Sequence, residues 1–505
     1  MISEIDKYCA ESLGIPTRTL MERAGAAVAD VVRGHTPSGG RVVILAGKGN
    51  NGGDGYAAAC LLMGEVEVAV FDVFDEGQKT EEGNFFLSKF KSEGGRVEKL
   101  TLDEQTMLYI SSADCIVDAI FGTGLRGEPP KVISRLAELI TGCRGRKIAI
   151  DVPMGVNADD GSVTDGAVVG MDATVALSFI KPGLVSFPAK AYVGRVIYND
   201  LGIPKEALEH RFEFKYKYLE SRLARAMLPT REENSSKGSF GKLLMITGSS
   251  KYHGAAHLSV SAALRGGVGY VTYLGSPELC HELLPVYPEA IYKSQEVGDA
   301  LTDDDIAMIV EESARSSATL IGCGSDSSDG LFRLVSALLA SDGSPLILDA
   351  DAINAMMRDR EGALRLIRDS SRRIILTPHP LEFARLSGND VSFVQRHRIE
   401  ASVKFAAENR CILVLKGAGT VITDGKEVYI NSSGSSALSK AGSGDVLAGF
   451  LASVVASGAS PLDGAALSVY YHGAAADSLS RQYSNIGVTP SDLPLEIARQ
   501  VAGVG

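Results

Sequence analysis

RVVILAGKGNNGGDG, Arg41 to Gly55, runs from an apolar, β-branched stretch directly into a glycine-rich turn. A stretch of this kind without alternation suits a strand buried on both faces, as in a parallel sheet covered by helices. Gly47, Gly49 and Gly52 have the GxGxxG spacing, a helical pattern beginning with YAAACLLM follows Gly55, and Asp72 ends the next apolar run. Taken alone this is a dinucleotide fingerprint, and alone it is weak. Asp54 counts against its simplest form, because a carboxylate at a helix start competes with pyrophosphate for the same positive pole. Asn50, Asn51 and Asp54 instead offer oxygens to a cation or to ribose hydroxyls. A tight turn capped by aspartate is the plain structural alternative.

Working outward, the same strand signal recurs in VEVAVFDVF (Val66–Phe74), DCIVDAIFG (Asp114–Gly122), KIAIDVP (Lys147–Pro153) and ATVALSF (Ala173–Phe179), with helical patterns between several of them. Two helices, including TLMERAGAAVADVV, precede the first strand. A charged, helical stretch from Leu201 to Arg231 marks a junction near Phe212–Leu219. Beyond it a second block restarts with GKLLMITGS (Gly241–Ser249) and continues through YVTYLG, ATLIGCG, PLILDAD, RRIILTPHP and CILVLKGAG. A hairpin-like VITDGKEVYI and two C-terminal helices complete it. The expectation is an α/β protein of two doubly wound domains, residues 1–214 and 220–505. The serine-rich Ser432–Ser436 run reads as a mobile loop between regular elements.

Bulk properties narrow the partners. The chain has 505 residues, a formal net charge of -12 and 22% charged residues, with no basic block, which argues against nucleic acid or an anionic membrane surface. The acidic start, MISEIDKYCAESLG, is no signal peptide, and no run reaches the ~18 apolar residues a membrane span needs. Seven scattered cysteines without CxxC spacing read as reduced thiols, so a cytoplasmic protein is expected. The histidines show no HExxH or paired spacing, and no GxSxG elbow exists.

Chemistry concentrates at strand ends, where open α/β sheets hold ligands. Asp118 and Asp151 each end an apolar strand, and GTGLRG supplies backbone N–H groups with Arg126 as an anion clamp. In the second block AGSGDVLAGF (Ala441–Phe450) places Asp445 where a helix begins. Free N–H groups there suit a phosphate, so an acid at that point suggests a base that deprotonates an attacking hydroxyl. KGAGT (Lys416–Thr420) follows a buried strand and can lay N–H groups on phosphates without being a Walker loop.

The order MERAG, GNNGGDG, DAIFGTGLRG, DVPxGV and FIKPG resembles the NAD(P)H-hydrate epimerase family across essentially the whole first block. The resemblance implies a Rossmann-like domain in which Asn50, Asn51, Gly52, Gly53, Asp54, Gly122, Thr123, Gly124, Leu125, Arg126, Gly127, Glu128 and Asp151 bind hydrated nicotinamide dinucleotide. It further implies Asp151 as the proton-handling residue and K⁺ held by Asn51 and Asp118. Met154 stands where members carry serine, so it could serve that ion only through its backbone. Lys181 lies in the KPG turn as a secondary pocket candidate.

The combination of KGSFGK (Lys237–Lys242), DADAIN (Asp349–Asn354), LTPHPLEFARL (Leu376–Leu386), KGAGT and AGSGD is similar to the ribokinase-like superfamily, in its ADP- or ATP-dependent NAD(P)H-hydrate dehydratase branch. It covers Lys237 to the end. This implies Asp445 as base, with Gly324, His379, Pro380, Leu381, Glu382, Phe383, Ala384 and Arg385 facing the hydrate. Lys416, Gly417, Ala418, Gly419, Thr420, Ser435, Ser436, Ala437, Leu438, Ser439, Lys440, Ala441, Gly442, Ser443 and Gly444 would cradle ADP or ATP with Mg²⁺. Two departures stand out: the family's GPGLG turn is GCGSD (Gly322–Asp326), and its HPGE is HPLE. Together the two resemblances imply a two-activity repair enzyme acting on the small molecules NADHX and NADPHX, self-associating as a homo-oligomer. The rival readings are an ordinary oxidoreductase or vitamin kinase, and a first half that binds nucleotide without catalysis.

Overall fold

The computed structural model describes residues 2–74, 79–122, 130–204, 207–208, 211–212 and 216–503, with side chains from residue 4 onward. The expected site residues Thr123, Gly124, Leu125, Arg126, Gly127 and Glu128 lie outside the described residues. The chain divides into two compact units, Met1–Phe214 and Lys215–Gly505.

In the first unit the strands are β1 (Arg41–Ala46), β2 (Glu67–Asp72), β3 (Arg96–Lys99), β4 (Cys115–Ala119), β5 (Arg146–Ile150), β6 (Ala173–Leu177) and β7 (Arg195–Asn199). They form one sheet in the order β3-β2-β1-β4-β5-β6-β7, every neighbouring pair parallel. The period-two alternation of β1 sends Val42, Ile44 and Ala46 into one apolar cluster and Val43 and Leu45 into another, which is why the strand reads as continuously apolar. Helices Thr17–His35 and Asn50–Leu62 cover the first face, and Lys131–Gly142 covers the second with Ile133, Leu136 and Ile140.

Chain direction across the sheet reverses between β1 and β4, the switch point at which ligands of open α/β sheets bind. Two expectations change there. The helix after β1 starts at Asn50, with Gly49 as its N-cap, rather than after Gly55, so Asp54 stands in its second turn and not at its positive pole. Asp72 is also not a free ribose ligand: it accepts from the Tyr56 hydroxyl and pairs with Lys79 Nζ at 3.1 Å, both side chains being 3% exposed.

The second unit contributes β8 (Tyr216–Leu219), β9 (Lys242–Ile246), β10 (Tyr270–Gly275), β11 (Ile291–Ser294), β12 (Ala318–Ile321), β13 (Leu346–Leu348), β14 (Ile374–Leu376), β15 (Ile412–Leu415), β16 (Val421–Thr423) and β17 (Val428–Asn431). Their order is β11-β10-β9-β12-β13-β14-β15-β16-β17-β8. The core from β11 to β15 is parallel, and the β16–β17 hairpin adds antiparallel pairing as its sequence indicates. Tyr216–Leu219, inside the stretch expected to be helical, pairs with β17 and so belongs to this unit. Three helices rather than two close the chain: Ser443–Ala456, Pro461–Gly487 and Leu493–Ala502. All seven cysteines are free thiols, six of them buried. Among the described residues no helix is long and apolar enough to cross a membrane.

Candidate active sites

At the first switch point the turns after β1 and β4 touch. Gly47 N–H donates to Ala119 O at 3.0 Å, and a β-carbon on Gly47 would lie 1.9 Å from Ile120 O. One on Gly52 would lie 2.0 Å from Gly47 O, and one on Gly53 would meet Met21 at 2.5 Å. Gly47 and Gly52, which face backbone oxygens, are thus required by packing, whatever else they do. Asn51 Nδ2 donates to Phe121 O at 2.6 Å, while its buried Oδ1 has no hydrogen-bond partner. Asp118 accepts from Ile120 N–H at 3.1 Å and from Met154 N–H at 2.6 Å. Burial, working against those two bonds, pushes the Asp118 carboxyl up to about 6. An orphaned amide oxygen and a buried carboxylate are hard donors suited to K⁺. The Met154 side chain is fully buried in the core, so that residue has only backbone to offer.

Asp151 follows β5 with φ of +62°, a left-handed conformation that is uncommon for a residue with a side chain. Its carboxylate accepts from Leu177 N–H at 3.2 Å and from Lys181 Nζ, which also donates to Leu177 O at 2.7 Å. Lys181, given secondary weight from sequence, is therefore a buried partner of the proposed acid. Burial holds Asp54 well above the usual carboxylate range, with the charges of Asp151 and Asp6 adding and Lys181 opposing. Asp6, from the N-terminal helix Ile2–Ser12, carries no motif and was not recognised; burial raises its carboxyl as well. The result is an acid cluster around one ammonium, able to hold and move a proton.

In the second unit the ends of β12, β13 and β15 converge. Lys416 Nζ lies 2.8 Å from Asp349 Oδ1, which also accepts from Thr377 Oγ1 at 2.7 Å. The Cys323 thiol points at Asp349 Oδ2, 3.5 Å away. Ala350, between Asp349 and Asp351, has φ of +43°, so the DADAIN turn is held in a strained shape. Asp445 is the third residue of helix Ser443–Ala456, whose N-cap is Gly442 at φ of +97°. It is not an N-capping side chain. Burial, then the charge of Asp349, pushes its carboxyl up to about 7 against Lys416 and a hydrogen bond from Cys323. A carboxyl that titrates near neutrality suits a general base. Cys323, Asp349 and Asp445 place ligand-type atoms within 4.8 Å of one another. A thiol is a poor Mg²⁺ ligand, and Lys416 already meets the charge, so the group does not fit a resident magnesium site.

Around this acid the remaining expected residues fall into two groups. Glu382 is buried and caps its own helix, its carboxylate accepting from His379 N–H at 2.8 Å. His379 and Leu381 are exposed, whereas Phe383 and Ala384 belong to the core and can offer only backbone. At Gly324, φ of +61° and a would-be β-carbon 2.6 Å from Ala255 demand glycine. In the KGAGT loop Thr420 Oγ1 donates to Gly417 O at 2.7 Å and so closes the turn on itself. Gly444 presents bare backbone, a β-carbon there being 3.4 Å from Lys416 Nζ. Lys440 Nζ is engaged by the carbonyls of Ile486, at 2.6 Å, and Val488. Ala437 is core, Ser435 and Ser436 hydroxyls pair with Ser480 and Asn485, and the buried Ser443 Oγ has no partner. Arg398 went unrecognised in sequence: buried in helix Arg398–Asn409, it donates to Leu415 O at 2.9 Å and Lys416 O at 3.1 Å, bracing the loop.

Comparison with known proteins finds a family match in each of the two units. Residues 17–183 match a family described as YjeF-related protein N-terminus, and residues 243–499 one described as NAD(P)H-hydrate dehydratase. The bifunctional NAD(P)H-hydrate repair enzyme Nnr of Moorella thermoacetica is 34% identical over 97% of this chain and 94% of its own. That of Thermofilum pendens is 32% identical over 97% of this chain and 92% of its own. A ribokinase-like superfamily protein from Enterococcus faecalis, 22% identical, covers 58% of this chain and 98% of its own with a TM-score of 0.51, a likeness of fold. Spanning both units at this identity, the chain belongs to the family of bifunctional NAD(P)H-hydrate repair enzymes.

Proposed function

We infer that the second unit, Lys215–Gly505, returns the S form of NAD(P)H hydrate to NAD(P)H at the expense of ADP or ATP. The first, residues 1–214, interconverts the R and S forms. The observation that carries this reading is Asp445: a carboxyl near neutrality in the first turn of a helix, beside Asp349 and Lys416. Hydroxide is a poor leaving group, so the C6 hydroxyl of the hydrate needs activation. Asp445 takes the hydroxyl proton, the alkoxide oxygen bonds the terminal phosphorus, and the bond to the nucleotide's bridging oxygen breaks. N–H groups of Gly444 and its neighbours stabilise the phosphoryl group in flight. Inorganic phosphate then leaves with the C6–O electron pair, the C5 proton passes to solvent, and the C5–H electron pair becomes the 5,6 double bond. Mg²⁺, arriving on the nucleotide phosphates, supplies charge neutralisation there.

In the first unit Asn50, Asn51, Asp54 and Gly122 line the binding edge. Asp151 handles the proton, and Lys181 Nζ holds its carboxylate in place. K⁺ would be held by Asn51, Asp118 and the Met154 backbone, which the partnerless Asn51 oxygen supports. The test is Asp445→Asn with NADH hydrate and ADP or ATP, following recovery of the reduced-nicotinamide absorbance. Loss of dehydration with epimerisation intact is the expected result. Loss of both activities together, or retained dehydration, would overturn the two-site reading.

A further inference from the structure

The acid proposed as base has an unusual neighbour. Cys323 lies in the GCGSD turn after β12, fully buried, where its thiol faces two carboxylates from different elements: Asp349 after β13 and Asp445 on helix Ser443–Ala456. Asp349 is already well served, since its Oδ1 accepts from both Thr377 and Lys416. The single S–H hydrogen can go to only one carboxylate at a time. The other charged groups near Asp445 are Lys416 after β15, which attracts, and Asp349 and Asp351, which repel; Glu382 faces the Lys416–Asp349 pair from helix Pro380–Ser387. Burial and two acids thus oppose ionisation of Asp445, while one ammonium, already committed to Asp349, and one thiol favour it.

We propose that Cys323 is a positioning residue for the dehydratase base: its S–H donates to Asp445 while that carboxylate is ionised and turns to Asp349 once Asp445 carries the substrate's proton. The hydrogen changes acceptor by rotation about the Cβ–Sγ bond, the ligand-type atoms of Cys323, Asp349 and Asp445 lying within 4.8 Å of one another. The 3.5 Å contact to Asp349 is the second of the two positions. The thiol itself stays protonated throughout, because burial and the two acids hold it well above its usual range. The proposal rests on Asp445 being the base.

The experiment measures kcat/KM for nucleotide-dependent dehydration against pH in wild type, C323A, C323S and D445N, using NADH hydrate and ATP with Mg²⁺. In C323A the acidic limb is expected to move up by about half to one pH unit, so that activity below the limb falls about three- to tenfold while the alkaline plateau holds. C323S, which keeps a donor, restores the wild-type limb. An unmoved limb in C323A, or an equal loss at every pH in both variants, overturns the proposal and leaves Asp445 as base. Dehydration that survives in D445N instead overturns the reading beneath it. Should C323A fail to fold, the S–H Raman band of wild type, assigned by its loss in C323S, gives the answer. A band that shifts with pH in wild type and stays fixed in D445N supports the proposal, and one that behaves alike in both overturns it.

Discussion

Lys416 Nζ and Asp349 Oδ1 stand 2.8 Å apart, joining the loop after β15 to the turn after β13, with the Asp349 side chain 2% exposed. Burial alone would lower the pKa of the lysine, yet Asp349 and Glu382 outweigh it and raise its pKa. The pair does two jobs at one place. It keeps a fixed negative charge beside Asp445, and it holds an ammonium 3.4 Å from where a β-carbon on Gly444 would be, in the turn proposed to carry phosphate.

Lys416→Met removes the cation and leaves Asp349 buried without its partner. Breaking a buried pair by deleting one member costs about 3–5 kcal/mol. Urea unfolding of the second unit should register that loss, and nucleotide-dependent dehydration should fall at least about a hundredfold, given a phosphoryl-site cation worth several kcal/mol. Epimer exchange should remain at the wild-type rate.

Asp445 titrates near 7 because burial and Asp349 disfavour its charged form. Only the ionised form can act as base, so dehydration should lose about tenfold per pH unit below that value. The stability consequence has the opposite sign. Between the unfolded value near 3.8 and the folded value near 7 the native state binds more protons than the unfolded chain, so stability falls as pH rises through that window. Asp445→Asn removes the buried charge and should melt above wild type at pH 8, with the difference shrinking toward pH 4. A variant that is inactive yet more stable is the signature to look for by calorimetry.

The strands that were legible are the buried ones. β1, β4, β5, β6, β9 and β12 to β15 carry apolar residues on both faces, so each appears as an apolar run. Those that carried no such signal, β3, β7, β8 and β11, are the four edges of the two sheets. RVEK and IYKS are mostly exposed there, and nothing in them marks a strand. The site was legible where glycine and aspartate punctuate strand ends, because turns and close approaches leave few residue choices. Arg398 was not, since a guanidinium turned inward onto two carbonyls leaves no trace in a helical pattern. Asp6 was missed because its partners come from distant elements.

The proposed potassium site rests on hard oxygens at Asn51 and Asp118. A ligand that binds only the folded state stabilises it by mass action, by about 2.7 kcal/mol when present at a hundred times its dissociation constant, and so raises its melting temperature. Raising KCl at constant ionic strength, with tetramethylammonium as the balancing ion, should therefore raise the melting temperature of the first unit. Asp118→Asn and Asn51→Leu should abolish that increment. A melting temperature indifferent to potassium in the wild-type chain would show that Asn51 Oδ1 has another purpose.

Asp151 and Lys181 provide the sharpest separation of the two activities. Asp151 is fixed by Leu177 N–H and Lys181 Nζ and held in a left-handed conformation, an arrangement that costs stability and is retained only where the surroundings enforce it. Asp151→Ala deletes the proposed proton carrier, whereas Lys181→Met leaves the carboxyl in place but without its counter-charge, inside a cluster that also contains Asp54 and Asp6. The first should reduce epimerisation to the uncatalysed rate. The second should slow epimerisation without abolishing it, because the carboxyl stays but loses the ammonium that fixes its orientation. With an equal mixture of the two hydrate epimers and excess ATP, the second unit consumes only the S form. Recovery of absorbance should then be biphasic in Asp151→Ala, a fast phase of about half the amplitude followed by a crawl, and adding the Asp445→Asn chain, with its first unit intact, should restore the full fast amplitude. A single full-amplitude phase in Asp151→Ala would place the proton carrier elsewhere in the cluster, with Asp54 the next residue to substitute.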